Sequence, residues 1–354
     1  DLQFDAGIIS VLVFGAGTNY ALLFISRYRE ELLVNDNHRT ALATAWRKTA
    51  PAIIASNVTV VLALGTLVFA VIPGTRGLGI TSAIGLVIAL VAVLFALPPV
   101  LAMCGRRVFW PLVPRPGETR TRRRFWGTIA GGVVRRPVVS LVAGAALLAI
   151  MATGLIGTSI GLTQTEKFRV TSESAAGLET PSAHFPAGES PPLIVIADTE
   201  SIDDVRAAVA DVNGVIRVTP LGESTDGTLS KLMVTGEPGP GTPESLALVE
   251  DLRASVHDVP GAHALIGGAV ADDLDSRTGN TQDLFLIAPL VLAVSFIVLL
   301  VLLRSLVAPT LLLLVNVASA LAAIGAGSWL SRVFFGQDAL DLQVPLLSFL
   351  FLVA

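Results

Sequence analysis

Six apolar runs, each long enough to cross a lipid bilayer, limit what this chain can fold into more than any other feature. They lie at about 7–26, 50–72, 78–103, 137–160, 284–303 and 306–330, and a truncated seventh begins near Val344. About 20 apolar residues span the hydrocarbon core as a helix. No water serves backbone N–H and C=O groups in that core, so each run must close its own hydrogen bonds, as a helix does. With 53% of 354 residues hydrophobic and 15% charged, and a mean hydropathy of +0.72, an ordinary soluble domain is excluded. The single cysteine, Cys104, excludes an intrachain disulfide. Asp1 in place of Met, and an apolar stretch at 344–354 with no polar end, lead to the expectation of a piece cut from a larger protein at both ends.

If every run crosses fully, the connecting segments alternate between two sides. Segments 27–49, 104–136 and 304–305 carry 15 Arg and Lys against 4 Asp and Glu, whereas 72–77, 158–283 and 331–343 carry 9 basic against 22 acidic residues. The positive-inside rule then places the Arg-rich loops in the cytoplasm, the short loops with Arg120, Arg122, Arg123 and Arg124 carrying most of the argument. That cluster reads first as a topology signal and second as a contact with anionic lipid. Residues 36–48 place Leu42, Ala45 and Trp46 on one helical face, which predicts a short helix lying on the inner leaflet. Trp110 and Trp126, beside arginines, are expected as anchors at headgroup level.

The segment 161–283 is acidic and punctuated by Gly and Pro, and long enough to form a domain outside the membrane. Strands are expected at 193–197, 215–219, 229–235 and 263–266, with helices at 201–213 and 243–257, Ser201 capping the first of them. The order β-α-β-β-α-β is the split βαβ pattern, an antiparallel sheet with both helices on one face. Residues 270–283 read as a polar helical stalk leading into the next span. The expected architecture is therefore an α-helical integral membrane protein with an inserted α+β, ferredoxin-like domain: helices and cytoplasmic loops over 1–136, a helix at 137–160, the inserted domain at 161–283 and helices over 284–354.

Few residues suggest chemistry. His38, His184, His257 and His263 are scattered without ligand spacing, so no metal is expected. No Walker A lysine loop is present, and nothing calls for a cofactor or a nucleic-acid partner. Ser56 has no His or Lys base at its depth, which removes a membrane-embedded hydrolase. What stands out is polar side chains inside apolar runs. Thr18, Asn19 and Tyr20 occupy the first, with Asn19 eight residues before Arg27; Ser56, Asn57 and Thr59 begin the second, with Ser56 eight residues after Lys48. At ~1.5 Å per residue both groups lie ~12 Å above the inner ends of two helices joined through the cytoplasm. They are expected to meet where Gly15 and Gly17 let the helices close. Two uses fit: hydrogen-bonded packing between helices, or an ion or proton relay.

Five stretches carry a family resemblance: Gly15-Ala-Gly-Thr-Asn-Tyr-Ala-Leu-Leu-Phe-Ile-Ser-Arg-Tyr-Arg-Glu-Glu-Leu32, Ala55-Ser-Asn-Val-Thr59, Gly105-Arg-Arg-Val-Phe-Trp-Pro111, His184-Phe-Pro-Ala-Gly188 and Leu303-Arg-Ser-Leu-Val-Ala-Pro309. In order and spacing the chain resembles the MMPL (mycobacterial membrane protein large) branch of the RND transporters over essentially its whole length. The resemblance implies the central part of a twelve-helix exporter, from the fourth helix to the start of the tenth, with 161–283 as the second extracytoplasmic porter domain. It implies export of lipids or other hydrophobic or amphiphilic compounds driven by proton influx across the bacterial cell membrane. The implied partners are membrane lipids, the substrate and the missing remainder of the same transporter; oligomeric state stays open.

The family's relay pairs an Asp-Tyr dyad on the fourth helix with another on the tenth. Here the first reads Asn19-Tyr20, and the second would fall beyond Ala354. An asparagine keeps the shape and hydrogen bonds of a neutral aspartic acid but never changes charge. Asn19 and Tyr20 thus mark the relay position, with Ser56, Asn57 and Thr59 as supporting polar groups and Gly15 and Gly17 as packing residues. An engineered trap, a natural variant relying on the other dyad and a degenerate transporter piece all fit Asn19. A lipid- or sterol-responsive membrane scaffold that senses without transport is the alternative function.

Overall fold

The structure, a computed structural model, describes residues 2–114, 116, 124–162, 192–336 and 339–353. Arg120, Arg122, Arg123 and His184, and the side chains of Arg124 and Trp126, lie outside what it describes. The chain divides into two compact units, Asp1–Ile156 with Gln282–Trp329 and Pro345–Ala354, and Gly157–Thr281 with Leu330–Val344.

The first unit is helical: α1 (Leu2–Leu32), α2 (His38–Gly65), α3 (Pro73–Val91), α4 (Leu97–Cys104), α5 (Arg124–Arg135) and α6 (Pro137–Ala152), then the membrane part of α9 (Ala269–Leu303), most of α10 (Val307–Phe335) and α11 (Val344–Val353). Among the described residues, six helical stretches are long and apolar enough to cross a membrane. They run past the apolar stretches because polar residues extend them into water. Near the C-terminal end of α1, Arg27 pairs with Glu30 and Glu31, each at 2.9 Å.

Residues 36–48 do not form a separate surface helix. Asn37 caps α2, its side chain accepting from the Arg39 N–H at 2.9 Å, and α2 runs unbroken from His38 through the span. Leu42 and Ala45 are buried with Tyr28, Phe24 and Leu101 rather than laid on lipid. Trp46 shows why. Pro98 and Pro99 have no N–H, so neither the usual helical bond nor the wider π turn at Ala92–Ala96 can use the Leu94 carbonyl. The Trp46 indole N–H donates to it at 3.0 Å. A buried carbonyl is satisfied and α2 is tied to the π turn.

In the second unit β2 (Leu193–Asp198), α7 (Ile202–Ala210), β3 (Val215–Glu223), β4 (Leu229–Gly236), α8 (Pro243–His257) and β5 (Leu265–Gly267) follow β1 (Ser159–Ile160), which pairs in parallel with β6 (Ala339–Leu340). The four-stranded sheet has the order β3-β4-β2-β5, antiparallel at every junction. Alternate residues of β2, Leu193, Val195 and Ala197, form one core with Val205 and Val209 of α7 and Leu248 and Leu252 of α8. The period-2 pattern thus turns one sheet face toward both helices.

Ser201 stands at the N-cap position of α7, as expected, but its side chain makes no capping bond, and a short 3-10 turn, Thr199–Ser201, precedes the helix. Thr242 caps α8, its hydroxyl accepting from the Ser245 N–H at 3.2 Å. The β3–β4 hairpin closes on Asp226, whose carboxylate accepts from Ser224 Oγ at 2.6 Å and from the Thr228 hydroxyl and N–H. Those donors hold its pKa down at about 2. Gly227 follows with φ +70°, which a Cβ would oppose.

Candidate functional site

Arg27, near the end of α1, and Lys48 of α2 meet on one carboxylate. Glu31, 7% exposed, accepts from Lys48 at 2.8 Å and Arg27 at 2.9 Å. This pins α1 and α2 at a common level, so positions eight residues further in are at similar depth. Sequence alone does not single out Glu31, because its Lys48 partner is 17 residues away across a turn.

From that level the polar groups diverge. Tyr20 is buried, 4% exposed, among Phe24, Ile53 and Val93, whereas Thr18 and Asn19 lie on the exposed side of α1. Asn57, 1% exposed, turns to α3 and donates from Nδ2 to the Leu86 carbonyl at 3.0 Å. Ser56 and Thr59 face another way, lining a cavity with Lys48 of α2, Ser295 of α9 and Asn316 of α10. Gly15 and Gly17 do not close α1 onto α2. A Cβ on Gly15 would meet open space, and one on Gly17 would sit 3.6 Å from the Ala89 Cβ of α3. The close approach of α1 is to α3, where a Cβ on Gly85 would fall 2.5 Å from Val13 Cγ2. Small residues do set a helix crossing, as expected, but on the facing helix and one turn away.

A further feature lies at the other end of the bundle. Asp283 is fully buried, and its carboxylate accepts from the backbone N–H groups of Val71 at 2.6 Å and Ile72 at 3.3 Å. These residues immediately precede α3, so an acid from α9 neutralises donors that a helix start leaves unpaired. Read in sequence as the end of a stalk, Asp283 is a clamp between α9 and α3. Its position at the lip of an apolar run was the available signal. Ser295 and Asn316, polar inside apolar runs, were open to the same reasoning that singled out Asn19.

Among the described residues no group of three or more His, Cys, Asp or Glu could hold a metal ion. His38 approaches the Ala102 carbonyl at 3.3 Å, and His263 pairs with Asp198 at 2.7 Å. What α1, α2 and α9 share is a set of polar side chains within an apolar bundle, two of which find backbone partners in or just before α3.

Spans of this number and hydropathy define a multi-pass membrane protein. Residues 3–140 and 171–354 match the model of the MMPL family, and the chain belongs to that family. It is 39% identical to the Streptomyces coelicolor membrane protein ActII-3 over 99% of this chain and 49% of that protein. It is 31% identical to the apo-petrobactin exporter of Bacillus anthracis, over 98% and 50% of the two chains. It is 26% identical to the mycolic acid-containing lipids exporter MmpL11 of Mycolicibacterium smegmatis, over 97% and 38%. The chain spans about half the length, or less, of these relatives. A crystal structure of SecDF superposes with a TM-score of 0.49 and 17% identity, over 97% of this chain and 41% of SecDF.

Proposed function

We propose that this chain is the central part of a proton-motive-force-driven exporter of lipids or other hydrophobic or amphiphilic compounds. In this reading the chain sits in the bacterial cell membrane with its Arg-rich loops in the cytoplasm, and 161–283 is an extracytoplasmic porter domain. The remainder of the same transporter is the partner. Family membership and the two relatives named as exporters support transport.

One observation carries the coupling: Tyr20 is buried while its neighbour Asn19 faces outward, on a helix packed against α3. An aspartate at position 19 would exchange a proton because desolvation raises its pKa, with the tyrosine hydroxyl favouring one state. Asn19 holds the shape of the protonated state. A change of packing at 19–20 has a path onward, since α1 meets α3 at Gly17 and Gly85, and α3 begins at the Asp283 clamp on α9. Rocking of these helices about a fixed site is how alternating access works in secondary transporters.

The test is export by the full-length transporter in proteoliposomes with an imposed proton gradient. Asn19→Asp is expected to raise flux and to steepen its dependence on the gradient. Equal proton-coupled flux from both forms would remove position 19 from the relay. Lipid binding with no dissipation of the gradient by either form would favour the sensing scaffold instead.

A further inference from the structure

By composition α5 is a weak helix. Three of its 12 residues, Gly127, Gly131 and Gly132, are glycine, and Thr128, Ile129, Val133 and Val134 are β-branched. An isolated helix of about this length is marginal in water even when rich in alanine. Packing within the chain does not make up the difference: no residue described from 127 to 135 is buried, and Ile129 is 44%, Val133 50% and Val134 78% exposed. A further surface is needed to hold it.

The order of its residues says what kind of surface. At ~100° per residue, Ile129, Ala130, Val133 and Val134 fall within an arc of roughly 140°, and Gly127, Thr128, Gly131, Gly132 and Arg135 fill the arc opposite. A Cβ on any of the three glycines would meet nothing within 4 Å, so no described neighbour packs on the polar side there. The junction with α6 fixes where the helix lies. Only Arg136, at φ −132° and ψ 65°, separates α5 from the span that opens at Pro137, which puts the last turn of α5 at the edge of the bilayer. The segment 104–136 that holds α5 carries nine Arg against one Glu, a charge that attracts anionic headgroups within about 8–10 Å.

We propose that α5 lies along the headgroup layer of an anionic phospholipid leaflet, with Ile129, Val133 and Val134 at the acyl boundary and Arg135 and Arg136 among the phosphates. The leaflet supplies the burial that α5 lacks within the chain, so helix formation and docking occur together. The interfacial role that the sequence suggests for 36–48 thus falls to α5. A neutral bilayer would accept the apolar face without drawing on the arginines, and a protein partner would cover that face whatever the lipid; dependence on anionic lipid is what sets this docking apart.

The test is spin-label accessibility in the full-length transporter, with Cys104→Ser and any other cysteine replaced, in nanodiscs of phosphatidylcholine alone or mixed with phosphatidylglycerol. Nitroxides are attached at Ile129→Cys and Val133→Cys on one face and at Gly127→Cys and Gly131→Cys on the other. Collisions with oxygen, which concentrates among acyl chains, are compared with collisions with an aqueous nickel chelate. With phosphatidylglycerol present, positions 129 and 133 are expected to favour oxygen and positions 127 and 131 nickel, and the contrast should fall in phosphatidylcholine alone. Arg135→Gln combined with Arg136→Gln is expected to lower the ratio of docked to undocked helix in the phosphatidylglycerol discs by roughly 25-fold, about fivefold per arginine, and to leave the phosphatidylcholine discs unchanged. Nickel reaching all four positions alike would overturn the proposal. So would shielding of 129 and 133 from both reagents, as in a protein contact, or a contrast indifferent to phosphatidylglycerol or to the arginine changes. No flux is read, so failure here leaves the export reading standing, and failure of proton-coupled flux leaves the docking of α5 standing.

Discussion

Adjacent residues on one helix turn to different partners, and single side chains fix those choices. Asn57 gives its amide to the Leu86 carbonyl, while Ser56, one residue earlier, opens into a cavity. The sequence marked both as polar groups at one depth; it could not assign their partners, because consecutive helical positions differ by ~100° about the axis and the neighbours come from distant chain. Asp283 makes the same point, its two backbone partners lying more than 200 positions away. Asp283→Ala would leave the N–H groups of Val71 and Ile72 without that acceptor. Thermal unfolding in detergent is expected to show a loss of roughly 3 kcal/mol, with Asp283→Asn intermediate because one acceptor oxygen survives. An unchanged melting temperature in the alanine variant would mean that water replaces the carboxylate.

Elements were legible in existence and order, less so in extent. The helix over Pro243–His257 begins and ends where its pattern suggested, because a capping Thr, a Pro in the first turn and an amphipathic face all act locally. The amphipathic stretch 36–48 was legible as a helix but not as the start of α2. An apolar stripe facing lipid and one facing another helix look alike in sequence. Trp46 decides between them through the Leu94 carbonyl that two prolines leave open. Trp46→Phe keeps the ring and removes the donor. It should cost about 1–3 kcal/mol and loosen amide hydrogen exchange around residues 92–99; unchanged exchange there would show that the carbonyl finds another donor. Tight crossings elsewhere also needed the third dimension. Gly325 of α10 packs so closely on α6 that a Cβ would come within 2.9 Å of the Ala152 Cα, yet nothing in sequence distinguishes Gly325 from Gly327, where a Cβ would meet open space.

At the scale of the molecule, the membrane class, the order of spans and the β-α-β-β-α-β unit follow from the sequence, and sidedness rests on its charge asymmetry. The one cysteine offers a direct check, since Cys104 is exposed and lies beside Arg106 and Arg107. A membrane-impermeant maleimide is expected to label it in inside-out vesicles and not in intact spheroplasts. Thr225→Cys in a Cys104→Ser background, at the exposed hairpin of the second unit, should show the reverse. Labelling of Cys104 from outside would invert the topology and with it the direction of the proposed proton path.

The sequence by itself determined which segments enter the bilayer, because hydropathy is summed along contiguous residues and needs no partner. Only the tertiary structure decided what the buried polar groups do. Tyr20 and Asn57 are packed into the bundle, Asp283 clamps a helix start, and Ser56 faces a cavity. Their roles depend on the rotation of each helix about its axis and on which distant helix stands opposite, and both are set by packing among several segments at once.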